Sequence, residues 1–299
     1  MDRSHEIAFA LILGLTVAGF VTTAAAEGPS TEAATAKAAA DEEALPISFS
    51  ADYTLVSDYV WRGQNFSEYV GEGREKANHQ ATVGLSYEAG KLGTFSGSVW
   101  CEWFAGQKSL DPASSRDLQE VDYTLSWSYE VPAVSTTVEL GWIWYHFPEA
   151  TGDASFTHEW YASLSLDDSV IFGTKGPVLN PSVAYYMDLD DVRGGWIECG
   201  ISHDFGLADC GFKDARILRH TTLTPSFVVG IDEGQISGST EVGNLQLGQD
   251  ISYDLSSALG MPEGHGSLTL TGFLRFSDAI YDKAINDEFW GGITIAYER

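Results

Sequence analysis

From residue 47 onward, apolar and polar side chains alternate with a period of two. In the first stretch the odd positions read Phe49, Ala51, Tyr53, Leu55, Ser57, Tyr59 and Trp61, against Asp52, Thr54, Asp58 and Arg62 among the even ones. A helix would scatter these residues around its circumference; a strand sorts them onto two faces. The pattern recurs, with Val121, Tyr123, Leu125, Trp127 and Tyr129 set against Glu120, Asp122, Thr124, Ser126 and Ser128. Continued along the chain, it predicts about 12 strands, near 47–62, 77–88, 93–104, 119–131, 134–147, 156–167, 181–189, 195–205, 221–231, 244–255, 266–276 and 289–298. Each is roughly ten residues or longer, the length a tilted strand needs to cross a bilayer, whereas strands of soluble domains average about five or six.

The connections alternate as well. Residues 63–76 and 105–118 are long and polar, while Ala89–Leu92 and Pro132–Ala133 are short; the alternation blurs after residue 168. A periplasmic N-terminus puts the first, long connection outside, as in outer-membrane barrels. The expected fold is all-β: a closed antiparallel transmembrane β-barrel over residues 47–299. Closure pairs every backbone N–H and C=O within the sheet, as lipid demands. The competing arrangement, a soluble β-sandwich, needs a second sheet over every apolar face. Trp61, Trp103, Trp142, Trp144 and Trp160 fall toward strand ends on the apolar face, where an aromatic girdle meets the headgroups.

The N-terminus reads as an export signal over residues 1–26. Ala8–Val21 is an apolar run followed by Ala24 and Ala26 at cleavage-site spacing, though Asp2 and Glu6 leave the leading segment barely basic beside Arg3. Residues 27–46 are rich in Ala and Glu and lack aromatics, and read as a disordered periplasmic segment. Export to the bacterial outer membrane follows. In an oxidising compartment Cys199 and Cys210 could bridge with Cys101 left over; alternatively Cys101 and Cys199 are small apolar strand residues.

Charge narrows the function. The chain has 16 Lys+Arg against 43 Asp+Glu, a formal net charge of −27, which argues against nucleic-acid binding. Aromatics make up 12%, too many for a disordered acidic chain. The parity opposite the apolar face carries Asp52, Asp58, Glu102, Glu120, Asp122, Glu139, Glu159 and Asp250, with Arg62 and Arg275 as its clearest cations. These residues are the expected channel lining. Carboxylate rings in a narrow aqueous path favour cations. Arg62 or Arg275 facing acids would instead crosslink the lumen and plug it. Twelve strands lie between filled eight-stranded barrels and wide porins, so any path is narrow.

No catalytic signature is present: there is no G-x-S-x-G, no H-E-x-x-H and no phosphate-binding glycine loop. His146 and His158 share the outward parity, but no serine stands beside His158. No enzyme activity, cofactor or metal is expected, and Asp188-Leu189-Asp190-Asp191 reads as a polar turn.

Ser57-Asp58-Tyr59-Val60-Trp61-Arg62-Gly63 resembles the S-D-Y-aromatic-R-G signature of the TorF family of bacterial outer-membrane porins. Glu120–Tyr123, Gly141–Pro148 and Glu159–Tyr161 add further matches, so the resemblance covers roughly residues 47–168. It implies an outer-membrane barrel with a channel role and a poorly defined substrate. One departure is the ending Tyr297-Glu298-Arg299, where such barrels often carry a final aromatic.

The functional expectation is a narrow, cation-preferring passive channel for ions or small solutes, surrounded by outer-membrane lipid and compatible with a homo-oligomer. The alternatives are a plugged barrel with a structural or adhesive envelope role, and a secreted ligand-binding sandwich.

Overall fold

The computed structural model describes residues 46–67, 77–104, 118–148, 150, 155–190, 193–262, 264–280 and 286–299. The expected signal peptide, the Ala/Glu-rich segment up to residue 45 and the long 105–117 connection lie outside these residues. Twelve strands form one closed antiparallel barrel. They are β1 (Ile47–Val56), β2 (Asn78–Glu88), β3 (Thr94–Phe104), β4 (Leu118–Val131), β5 (Thr136–His146), β6 (Phe156–Leu166), β7 (Ser182–Asp188), β8 (Gly195–Ser202), β9 (Thr221–Glu233), β10 (Thr240–Asp254), β11 (Ser267–Ala279) and β12 (Glu288–Glu298). Each pairs with its neighbours in sequence, except that β1 and β12 close the ring. At that seam Ala51 faces Tyr297 and Val56 faces Gly292, and Phe49 and Arg299 exchange both backbone hydrogen bonds.

Every strand read from the sequence is present, with shifted ends. The largest shift is in β1, which stops at Val56 instead of residue 62. Ser57 N still donates to Gly291 O across the seam (2.8 Å); beyond it the chain leaves the wall. Both chain termini of the barrel lie at one end, here the terminus end. The turns after β2, β4, β6, β8 and β10 also lie there, two of them carrying short helices, α1 (Ser169–Phe172) and α2 (Leu255–Leu259). The remaining connections lie at the opposite, loop end.

The two faces of the wall have different solvents. Outward positions carry exposed Tyr53 and Leu55 on β1, Val83 and Leu85 on β2, Leu140 and Trp142 on β5, and Ile293 and Ile295 on β12; Leu125 on β4 is 69% exposed. A single closed sheet has no second layer to cover them, which removes the sandwich arrangement. An apolar belt of this extent would be costly in water at about 25 cal/mol per Å² and is at ease in hydrocarbon. Inward side chains vary along the axis. Toward the loop end Asn78, Phe104, Tyr145, Thr157, Trp196, Asn244 and Trp290 are buried. Toward the terminus end Ser96, Ser98, Thr124, Ser126, Ser163 and Thr271 are half-exposed. The lumen is thus packed in one half and open in the other.

Candidate functional site: a latched hairpin in an acidic lumen

What fills the loop-end half is the segment after β1. Val60 pairs with Asn65 and Trp61 with Gln64, a two-residue hairpin turning at Arg62 (φ 45°) and Gly63 (φ 79°). Two successive positive φ values are the mark of a type I′ turn, which fits strand twist but suits glycine better than arginine. Tyr59 (6% exposed), Trp61 (3%) and Phe66 pack with Phe104, Ile143 and Tyr145 of the wall as the barrel's buried apolar cluster. Ser67 Oγ accepts from Tyr59 N (2.8 Å), and Asn65 Nδ2 donates to Glu288 on β12 (3.0 Å), fixing the hairpin's base.

The placement of Trp61 corrects the sequence expectation. It does not belong to a lipid-facing girdle; it lies inside the barrel, because the alternation through Tyr59 and Trp61 runs on after the strand has ended. The other four tryptophans are on the outer face toward the loop end. Trp103 stacks on His79 (5.5 Å between centroids), Trp142 on His158 (4.9 Å), Trp144 lies against Phe156 (5.7 Å) and Trp160 against Tyr185 (5.5 Å). A second outward aromatic group at the terminus end, Trp127 stacked on Tyr129 and Phe49 beside Tyr297, has the same alternating parity but was not singled out in the sequence.

Arg62 is the latch. Nη1 and Nη2 donate to Oε1 and Oε2 of Glu159 on β6 (3.0 and 3.2 Å), a fork-on-carboxylate pair whose side chains are 1% and 0% exposed. Tyr145 Oη donates to the same carboxylate (2.9 Å), and Gln235 bridges, accepting from Arg62 and donating to Glu159. The guanidinium also lies over Trp61 (4.0 Å), Tyr186 (4.8 Å) and Trp196 (5.6 Å), so aromatic faces replace its lost water. Gln235 reaches inward because the connection after β9 curls over Asp232, which accepts from the backbone N–H groups of Gln235, Ile236 and Ser237. The Trp196 indole fits because Gly230 and Gly243 stand beside it; a Cβ at either would come within 2.4 or 2.7 Å of its ring.

Beside the latch lies a cluster of buried acids. Glu102, Glu120, Asp122 and Asp58 are all buried, and Tyr59 Oη of the hairpin donates to Glu120 (3.0 Å). Among the described residues, one oxygen on each of the four carboxyls is buried without a hydrogen-bond partner, as are both amide atoms of Asn78. Arg62 is committed to Glu159. Among the described residues no group of three or more His, Cys, Asp or Glu is arranged to hold a metal ion.

The remaining expected lining residues lie in the open half. Asp52 and Glu139 are half-exposed, and Glu139 accepts from Tyr161. Arg275 on β11 pairs with Asp250 on β10 beneath Phe273. Of the two arginines, only Arg62 therefore joins the plug. Asp188 accepts from Thr157 (2.8 Å) and from the N–H of Asp190 (3.0 Å), the polar turn expected there. The three cysteines are free, with Cys199 and Cys210 exposed. Gln235, Tyr145 and Trp196 were missing from the expected site. Tyr145 shares the parity of Glu139, but nothing local marks Gln235.

Residues 40–175 match a family described as a bacterial protein of unknown function (Gcw_chp). No curated protein matches the chain. Among solved structures, an outer membrane channel from Pseudomonas putida F1 is similar over 88% of this chain and 99% of that one, at 9% identity and a TM-score of 0.50. The NanC porin (11% identity, 83% and 98% covered, TM-score 0.46) and the KdgM porin (11%, 83% and 98%, 0.45) are also similar. At 9% identity the likeness to the Pseudomonas channel is one of fold, a closed antiparallel β-barrel.

Proposed function

We propose that this chain is a bacterial outer-membrane porin, a passive channel for ions or small solutes whose path is narrowed by the lumenal hairpin and prefers cations. The TorF-like signature, Ser57–Gly63, runs from the end of the wall strand into the hairpin's first strand and turn, and the matched family segment includes it. The observation that carries the reading is the composition of the lumen. Glu102, Glu120, Asp122 and Asp58 surround the hairpin, with Asp52 and Glu139 toward the open end, while Arg62 and Arg275 are each neutralised by a carboxylate. Buried carboxylate oxygens without donors are costly, and water or mobile cations reaching them relieve that cost. Asp52, Asp58, Arg62, Glu102, Asp122, Glu139, Glu159, Asp250 and Arg275 are assigned as lining residues on this basis.

Planar-bilayer recording of the refolded barrel tests the proposal. The expected result is a small conductance with a reversal potential shifted toward the cation Nernst potential in a KCl gradient. The shift should shrink in Glu102→Gln/Asp122→Asn. An anion-directed reversal potential removes the selectivity claim. Complete closure in every record, with the hairpin's burial unchanged, supports the second reading, a plugged envelope barrel. That reading draws on the packing of Tyr59, Trp61 and Phe66 against the wall.

A further inference from the structure

Among the described residues, five cations lie in the turns of the terminus end. The terminus end holds Lys91 in the turn after β2, Lys175 after β6, and Lys213, Arg216 and Arg219 after β8. None of these five makes an ion pair among the described residues; the three pairs present are Arg62–Glu159, His158–Asp190 and Arg275–Asp250. Three carboxylates at the same end are engaged by the backbone. Asp167 accepts from Ser169 N (2.9 Å), Asp168 from Val178 N and Leu179 N (2.6 and 2.8 Å), and Asp254 from Ser257 N (2.9 Å) at the start of α2.

Each group of these bases stands beside exposed apolar side chains. Leu92 follows Lys91; Val170, Ile171 and Phe172 of α1 precede Lys175; and Phe212, Ile217 and Leu218 interleave with Lys213, Arg216 and Arg219. From Phe212 to Arg219 there are three cations and one carboxylate, Asp214, with Asp209 just before them. Local bonds hold this stretch in shape: Ala215 N to Phe212 O (3.0 Å), Arg219 N to Ala215 O (3.0 Å), and His220 edge-on to Tyr253 of β10. α2, in the next turn, touches the 218–220 turn and adds exposed Leu259.

We propose that the terminus-end turns form a docking collar for anionic phospholipid headgroups, centred on Lys213, Arg216 and Arg219. The inference rests on the membrane reading of the barrel and specifies one leaflet of its surroundings. Two observations select lipid over a protein partner. The apolar tips continue the outward hydrocarbon face past the strand ends, beyond the aromatics Trp127 and Tyr129. Interleaved bases and apolar side chains are also the chemistry that seats a segment at a membrane interface, with side chains in the acyl boundary and ammonium or guanidinium groups on phosphate. Each cation close to an anionic surface contributes about fivefold in partition at moderate salt.

The test uses the full barrel reconstituted in mixed bilayers, with brominated lipids as quenchers of tryptophan fluorescence. Trp127 reports from the terminus end, where its Nε1 donates to Leu92 O (2.7 Å). Brominated phosphatidylglycerol and brominated phosphatidylcholine are compared in the natural chain and in Lys213→Gln/Arg216→Gln/Arg219→Gln. The expected result is preferential quenching by phosphatidylglycerol that falls at least tenfold in relative binding constant in the variant and weakens with added salt. Heat-modifiable migration confirms that the variant is folded, and the single variants Lys91→Gln and Lys175→Gln give smaller steps. Equal quenching by the two lipids in the natural chain overturns the collar but leaves the membrane barrel intact. Loss of a dimer in native mass spectra of the triple variant, with lipid preference unchanged, overturns it in favour of a second copy. Absence of quenching by either lipid overturns the membrane reading as well.

Discussion

Replacing Glu159 with Gln should release the hairpin without unfolding the barrel. The substitution keeps the size of the side chain and removes the charge facing Arg62. The guanidinium is then left 1% exposed with no carboxylate, holding only the Gln235 carbonyl, the new amide oxygen and the faces of Trp61, Tyr186 and Trp196. Breaking one side of a buried ion pair costs about 3–5 kcal/mol. The aromatic contacts are present before and after, so they do not offset it. Arg62 already sits at positive φ, which costs about 1 kcal/mol or more for a residue with a Cβ. The wall strands keep all their ladder bonds, so the cost falls on the hairpin. Taking about 3–4 kcal/mol as the local cost, amide exchange at Phe66 and Ser67 should accelerate roughly 100- to 1,000-fold. Amides in β4 and β5 should change little. Hydrogen-exchange mass spectrometry of the refolded protein reads both regions, and bilayer recording should show a larger or more frequent open level. Hairpin exchange within threefold of the natural chain, in a variant with normal heat-modifiable migration, would refute the latch.

Further perturbations check other parts of the structure. Leu125→Arg places a guanidinium at mid-wall on the outer face and should cost about 2–4 kcal/mol in urea-dependent folding into vesicles; no change would mean that face does not meet hydrocarbon. Gly63→Val puts a β-branched residue at φ 79° and should loosen the hairpin by at least about 1 kcal/mol, read as faster exchange at Phe66 with the wall unaffected. Burial of the Asp168 carboxyl opposes ionisation, but N–H donation from Val178, Leu179 and Asn180 outweighs it and holds its pKa below the ordinary 3.8. Its contribution to the turn is therefore complete above the unfolded-state pKa and lost as pH falls through the lower folded one. Exchange-corrected protection of the Val178 and Leu179 amides should stay level from pH 7 to about 5 and decline in more acid solution, and Asp168→Asn should abolish that dependence.

The barrel was legible because its evidence is local and repeated. Val121 to Tyr129, or Asn244 to Asp254, declare their two faces without reference to any partner, and length separates membrane strands from soluble ones. The inward carboxylates, Glu102, Asp122 and Glu159 among them, were assigned from parity alone. Period two reports only which residues share a face. Tyr59 and Trp61 preserve the rhythm of β1, so the pattern cannot reveal that the chain has left the wall. A better signal stood beside it: Arg62-Gly63 between two short runs, followed by polar Gln64 and Asn65, is a two-residue turn in sequence. The partners of Arg62 lie beyond any local pattern. Glu159 is 97 positions away and Gln235 173, and only closure of the ring brings them to one point.

The seam between β1 and β12 joins the earliest strand to the latest, and it bears on how the barrel is built. Until β12 arrives, one side of β1 presents unpaired N–H and C=O groups, so the ring stays an open ribbon through most of its formation. The hairpin begins within a few residues of β1, and Asn65 reaches Glu288, on the strand that shuts the gap. The plug need not be threaded into a finished cylinder. It can be wrapped as the ribbon curls, with the final strand sealing the wall and pinning the cargo in the same movement.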